Sequence, residues 1–398
     1  MFKNIIILAG GKSTRFFPLD DKNLYYFLGK PLLEHQIIKF LPFAKHIFVV
    51  AHERNCKYVE HITEKYSNTI LIIQKGEGQA SALLSCTDFI HGESLVVNNC
   101  DIFNETSLFP SIEKMKKTDK LILTAKKMTD YFPGGYLQFD KNKLTKLVEK
   151  PRPEDRPSDM VRLVVDYFAD INEFIDVLQK VPEPHKDGVY EKALNNYISL
   201  VPTNYIEYSD EWCYLKYPWH VLTVKDHFLR KIKEYRGKNV SIDKSAIITG
   251  EAYIDDNVKI HEYSKIVGPC FIGSGTVVGN YAMIRESMVG SDCVIGGYTE
   301  VTRTYIGDRV WLHRNYVGDS VFENDILCGS GMVSANYRFD KDEIASPVKG
   351  VTVHTGHKKL GAIVGSCVTI GINTSLMPGV KISPYTIIMP HSLIQKDI

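Results

Sequence analysis

Residues 8–15 read LAGGKSTR, directly after the apolar run NIII and ahead of GKPLLEHQIIKFL. A strand-like run that breaks into two glycines, a basic residue and then a helix-like segment has the shape of a phosphate-binding loop. Glycine-rich turns let backbone amides converge on an anion, and a helix start adds its positive dipole end. A second unusual stretch is RVWLHRNYVGDS at 309–320, bulky and polar among small aliphatic repeats. Its His313 could move a proton near neutral pH, because imidazole titrates there. Other candidates weigh less. GEGQ at 76–79 lacks the G-K-[ST] of a Walker loop, and the eight cysteines contain no C-x-x-C pair. Most of those cysteines lie in apolar surroundings, as small buried residues do in a reducing cytoplasm.

The elements that must position these residues alternate up to about residue 235. IIILA, HIFVVA, TILIIQ, SLVVNN and KLILTAKK read as strands; LLEHQIIKFL, ASALLSCTDFI and LFPSIEKMKK read as helices. Near-continuous apolar strands between helices predict a mostly parallel sheet covered on both faces. Ligands then sit at the carboxyl ends of the strands, where GGKSTR falls. From about residue 242 the period changes to six: Ile242, Ile248, Ile254, Ile260, Ile266, Ile272, Val278, Ile284. The series slips by one in places and resumes as Val364, Ile370, Leu376, Ile382. An aliphatic knob every six residues predicts a solenoid whose coils each hold three short strands. The polar excursion at 333–361 reads as a functional loop. IKEYRGKN at 232–239 reads as a linker between a domain at 1–235 and one at 240–398. Solenoid edges and grooves invite neighbouring subunits, so an oligomer is expected.

Of the 398 residues, 44% are apolar and 24% charged, with a net charge of +1. Such a balance gives no bulk pull toward nucleic acid or an anionic membrane. No run approaches the roughly 18 apolar residues of a membrane span. The short apolar start leads into glycines rather than a cleavage site, so the expectation is a cytoplasmic protein.

The N-terminal half resembles the sugar-1-phosphate nucleotidylyltransferases, and the C-terminal half resembles the hexapeptide acyltransferases. The order of the halves and the tail KKLGAIVGSCVTIGINTSLMPGVKI resemble the bifunctional uridylyltransferase/acetyltransferases of archaeal type. The resemblance covers essentially the whole chain. It implies a Rossmann-like α/β nucleotidyltransferase domain followed by a left-handed parallel β-helix that assembles as a homotrimer. By the family's loop motif, Leu8, Gly10, Gly11, Lys12, Gln74, Gly78 and Gln79 would bind the nucleotide. Arg15 and Lys22 would neutralise charge on the α-phosphate and the leaving pyrophosphate. VVNNCDIF places Asp101 at the metal position for Mg²⁺ or Mn²⁺; in the sugar-phosphate site, GGY places Gly135 beside the sugar, and VEKP places Glu149 on the sugar hydroxyls and Lys150 on the phosphate. His313 would be the general base of acetyl transfer, with Tyr316 on the acceptor and Asn336 supplied by a neighbouring subunit. Gly329, Gly331, Ser334 and Lys359 would line the acetyl-CoA groove.

Several positions depart from the family pattern. Ser13 replaces a loop glycine, Asp21 a proline, Gln79 a threonine and Cys100 a glycine. RLVVDY at 162–167 replaces N-A-G-I-Y, and His220 stands where relatives have an aspartate and is a candidate second metal ligand. The expected activity is nucleotidyl transfer from an NTP, UTP favoured, to a hexosamine-1-phosphate, with acetyl-CoA-dependent N-acetylation of an amino sugar. Two alternatives stay open: a degenerate N-terminal domain that binds sugar nucleotides as a regulator, and nucleotidyl transfer with a purely structural β-helix.

Overall fold

The computed structural model describes residues 1–182 and 188–398. The chain divides into two compact units, one formed by Met1–Lys12 and Leu32–Cys213, the other by Ser13–Pro31 and Tyr214–Ile398. Among the described residues, no helix is long and apolar enough to cross a membrane.

The first unit is built on one sheet. Strands Phe2–Leu8, Ala44–Ala51, Thr69–Ile73 and Ser94–Asn98 run parallel, with Phe2–Leu8 between Ala44–Ala51 and Ser94–Asn98. Ile5, Ile6, Ile7, Val49, Val50, Val96 and Val97 are buried, which is why three of these strands read as apolar runs, whereas the edge strand Thr69–Ile73 leaves Ile70 and Ile73 exposed. The other half of the sheet is largely antiparallel. Met160–Phe168 pairs antiparallel with Ser94–Asn98 and with Leu121–Lys127, so KLILTAKK is a strand but not a parallel neighbour of the first four. The hairpin Gly135–Asp140/Lys143–Glu149 turns at Lys141 and Asn142, both with positive φ, as a two-residue hairpin turn requires. The helix expected over ASALLSCTDFI is shorter and earlier, Gly78–Leu84.

The second unit is a left-handed parallel β-helix of three sheets, each of eight strands. Ile254, Ile272, Val289, Ile306, Phe322, Val364 and Ile382 form one interior column, all buried. Coil spacing shortens along this column, from Ile254–Ile272 to Ile272–Val289 to Ile306–Phe322. Those shortened corners are the slips in the six-residue period. Within the excursion at 333–361 lies the hairpin Ala345–Val348/Val351–His354. Lys381 ties it down, donating to Ser346 Oγ at 2.9 Å and to the Pro347 carbonyl.

The segment Ser13–Pro31 folds with this unit. Tyr25 meets Tyr305 at 5.0 Å between ring centroids, and Phe27 stacks on Phe228 of helix His220–Leu229 at 5.2 Å.

Candidate active sites

Strand Phe2–Leu8 ends at Leu8 and opens into Gly10 and Gly11. Gly10 must be glycine for a local reason: a Cβ there would stand 2.2 Å from Gln74 Oε1. Gln74 is itself fixed, its Nε2 donating to the Gly76 and Gly78 carbonyls at 2.9 and 3.0 Å. It thereby ties the glycine loop to the GEGQ turn. Lys12 pairs with Glu77 at 2.8 Å, and that hydrogen bond holds the Glu77 carboxyl below its usual range. Arg54 caps the Gly10 and Lys12 carbonyls, each at 3.4 Å. Gly78 has φ +81° and open space around it. Among the described residues, the side-chain carbonyl of Gln79 is buried without a hydrogen-bond partner. An orphaned acceptor beside a phosphate-type loop is a group waiting for a donor, since leaving it unmet costs about 1–3 kcal/mol.

Asp101 follows strand Ser94–Asn98 and is 5% exposed. Its Oδ1 accepts from Trp212 Nε1 and its Oδ2 from Asn98 Nδ2, both at 3.0 Å. These donors orient the carboxylate. Mg²⁺ takes oxygen ligands and commonly needs only one or two carboxylates beside substrate phosphates, so Asp101 fits that ion. At the far side of the sheet, a Cβ on Gly135 would stand 3.2 Å from Glu149 Oε2 and 2.9 Å from Leu147. The glycine therefore lets Glu149 lie against the hairpin, where it pairs with Lys150 at 3.0 Å.

In the β-helix, His313 is exposed at the corner after strand Trp311–Leu312. The corner is fixed from inside by Asn315, which accepts from the His313 amide and donates to the Gly329 and Met332 carbonyls. Tyr316 Oη accepts from Asn336 Nδ2 at 3.3 Å, and Asn336 also donates to Asp319. Arg303 grips Asp319 through two bonds at 2.6 and 2.7 Å. Tyr316 and Asn336 thus meet within one chain, on an anchor of Arg303 and Asp319. Lys359 bridges to Tyr337 across the loop base.

Residues 4–188 match the nucleotidyl transferase family. The chain is 31% identical over 402 residues to the bifunctional protein GlmU of Methanococcus maripaludis, covering 99% of this chain and 95% of that one. The chain belongs to the bifunctional GlmU family. A bifunctional sugar-1-phosphate nucleotidylyltransferase/acetyltransferase of Sulfurisphaera tokodaii is 29% identical over 411 residues, covering 98% and 97% of the two chains. A solved structure described as a Bacillus anthracis glucose-1-phosphate thymidylyltransferase has the same fold over 59% of this chain and 98% of its own, with TM-score 0.51 and 18% identity.

Against this GlmU framework, several departures explain themselves. Ser13 sits in the left-handed region at φ 55°, where the family glycine would be at ease. Its Oγ donates to Asp21 Oδ1 at 2.9 Å and accepts from the Lys22 amide at 3.2 Å. The two substituted residues are therefore bonded to each other, and together they close the shortened loop beside Lys22. Arg15, in the same segment, is exposed. Arg162 and Asp166 likewise form one buried ion pair, with Tyr190 Oη donating to Asp166 at 2.9 Å. A register shift between Leu163 and Tyr167 brings the two together along the strand. Sequence reasoning treated each of these substitutions as a loss; their shared signal was the appearance of two complementary polar residues in one motif.

Two assignments are corrected. His220 is not placed as a metal ligand: its Nδ1 accepts from the Lys216 and Tyr217 amides at 3.2 and 3.4 Å, and aromatic rings of Tyr214, Tyr217 and Trp219 surround it. Burial, then the nearby His357 and Lys216 charges, pushes its pKa down to about 3, so it is neutral and holds a turn. Among the described residues, neither it nor Asp101 stands in a group of three metal-capable side chains. Ser334 does not face a groove: it is a fully buried interior knob, bonded to Ser320 Oγ at 2.8 Å and accepting from the Ala362 amide. Gly329 and Gly331 have coil-packing reasons of their own, since Cβ atoms there would stand 2.7 Å from the Ile372 amide and 2.2 Å from Asn373 Oδ1.

Proposed function

We propose that this GlmU-family enzyme transfers a nucleotidyl group from an NTP, UTP favoured, to a hexosamine-1-phosphate, and N-acetylates an amino sugar with acetyl-CoA. The observation that carries the first half is the pinned glycine loop, with Gln74 fixing Gly10 against the Gly76–Gly78 turn and Gln79 holding an orphaned acceptor within that turn. In this reading a phosphate oxygen of the sugar phosphate attacks the α-phosphorus, the bond to the β-phosphate oxygen breaks, and pyrophosphate leaves. The loop amides hold the triphosphate, Arg15 and Lys22 offset the charge on the α-phosphate and leaving group, Lys150 holds the sugar phosphate and Glu149 the sugar hydroxyls. The Gln79 carbonyl accepts a base N–H. A divalent ion at Asp101, Mg²⁺ or Mn²⁺, would supply further charge neutralisation.

In the second half, His313 takes the proton of the attacking amine as the amine adds to the thioester carbonyl, and the CoA thiolate leaves. Tyr316 and Asn336, held by Asp319 and Arg303, orient the acceptor, and Lys359 lies on the acetyl-CoA side. Trp311, Leu327 and Ile387 expose 49%, 43% and 73% of their surface along one sheet, which supports a homotrimer through the β-helix. The test is pyrophosphate release with Mg²⁺ and then Mn²⁺, pairing each of UTP, dTTP, CTP, GTP and ATP with glucosamine-, N-acetylglucosamine- and glucose-1-phosphate. Turnover is expected with UTP and a hexosamine-1-phosphate; silence in every pair from folded protein overturns the reading. His313→Ala should abolish acetyl transfer and leave pyrophosphate release unchanged.

A further inference from the structure

The segment Ser13–Pro31 carries Arg15 and Lys22, yet it folds with the β-helix. Successive coils hold it. The Leu28 amide donates to Met288 Sδ at 3.5 Å, and Tyr305 Oη donates to the Tyr26 carbonyl at 2.9 Å. The Asp20 amide donates to Glu323 Oε1 at 2.8 Å. Glu323 is only 3% exposed, and its Oε2 accepts from the Ser366 amide and hydroxyl at 3.1 and 3.0 Å. Burying a carboxylate is costly unless donors satisfy it, and one of its donors belongs to the segment.

In the middle coils of this column the residue after the interior knob is Gly273, Gly290, Gly307, then Glu323, then Gly365, while a partly exposed Asp255 and Ser383 follow the knobs at its two ends. A buried acid within that run of glycines is the exception to it. Gly365 makes the same point from the opposite direction. A Cβ there would stand 2.9 Å from the Pro18 carbonyl oxygen as well as 2.9 Å from the Pro384 ring. One coil reaches toward the segment with a carboxylate, and the next is cut back to let its backbone pass.

We propose that Glu323 is a positioning residue for nucleotidyl transfer, and that the β-helix, through Glu323 and the clearance at Gly365, holds the segment that presents Arg15 and Lys22. The inference rests on the nucleotidyl-transfer reading above, and it makes the two activities of the chain structurally inseparable in one direction: the β-helix serves both.

The test uses the full chain with Glu323→Ala, Glu323→Gln and Gly365→Ala. Pyrophosphate release is measured as separate kcat and KM values, acetyl transfer runs in parallel, and hydrogen exchange is followed in residues 13–31. Glu323→Ala should lower the nucleotidyl kcat about tenfold or more, with the NTP KM and acetyl transfer within about twofold. Exchange at the Asp20 amide should rise about tenfold while the coils stay protected. Glu323→Gln keeps an acceptor for the Asp20 amide and should restore most of the kcat; Gly365→Ala should resemble Glu323→Ala. An unchanged kcat in Glu323→Ala overturns the inference. So does a parallel fall of both activities with loss of coil protection, which would mark Glu323 as a fold residue only. A wild type silent with every substrate pair overturns the nucleotidyl-transfer reading instead, a result distinct from equal turnover by wild type and variant.

Discussion

The second unit contains a buried carboxyl and a partly buried imidazole whose effects on stability oppose each other. Burial pushes Glu323 up to about 7 from an ordinary 4.5, against the pull of its hydrogen bonds from Asp20 and Ser366. Its contribution to stability is therefore full below about pH 4.5 and is lost as pH rises through 7. Burial pushes His220 down to about 3 from 6.5. Its contribution is full above 6.5 and is lost as pH falls toward 3. Integrating the proton linkage between about pH 6.5 and pH 5, Glu323 adds about 1.7 kcal/mol on acidification and His220 removes about 1.7 kcal/mol. In wild type the two nearly cancel. Glu323→Gln keeps the acceptor and removes the titration, so it should lose about 1.7 kcal/mol more than wild type between those pH values. His220→Asn offers an amide oxygen where Nδ1 accepts, and should gain about 1.7 kcal/mol relative to wild type over the same step. The assay is urea unfolding at both pH values, read by tryptophan fluorescence, since Trp219 and Trp311 lie in this unit. Parallel pH dependence of wild type and Glu323→Gln would refute the reasoning.

Other substitutions test the departures from the family pattern. Arg162→Ala leaves the buried Asp166 without its guanidinium partner, with Tyr190 the remaining side-chain donor among the described residues, and should cost about 3–5 kcal/mol in denaturant unfolding; Arg162→Met with Asp166→Leu should recover most of that loss. Ser13→Gly exchanges a lost hydrogen bond for relief of the left-handed backbone and should be near neutral, whereas Ser13→Ala loses the bond and keeps the backbone cost, a difference of about 1 kcal/mol in thermal unfolding.

The parts of this fold that were legible in sequence are those where each residue does the same job as its counterpart one repeat away. An interior knob every six residues reads directly, because the column Ile254 to Ile382 buries one side chain per coil. The central parallel strands read for a similar reason, since their middle residues 5–8, 47–50 and 95–97 are apolar and buried. What stayed hidden depends on pairs. Ser13 and Asp21 each look like damage to a motif until the bond between them is seen, and Arg162 with Asp166 needs a strand irregularity to meet. His220 looked like a ligand because its position was compared with an aspartate, while its ring is engaged by two local amides that no spacing rule encodes.

Glu323 is the intermediate case. Its sequence signal was present, an acid breaking a run of glycines, but its meaning required knowing which distant segment passes that coil. The domain division at 232–239 made such a partner hard to foresee, because it assigns residues 13–31 to the N-terminal domain by chain position alone. A compact unit is defined by which surfaces are buried together, and Tyr25 and Phe27 are buried with Tyr305 and Phe228. It follows that truncation before the β-helix would remove Tyr305 from both Tyr25 and Phe27, leave Phe27 only its stack on Phe228, and strand the segment that carries Arg15 and Lys22. A fragment ending near residue 235 is then a poor report on nucleotidyl transfer by the intact chain, whatever activity the fragment shows.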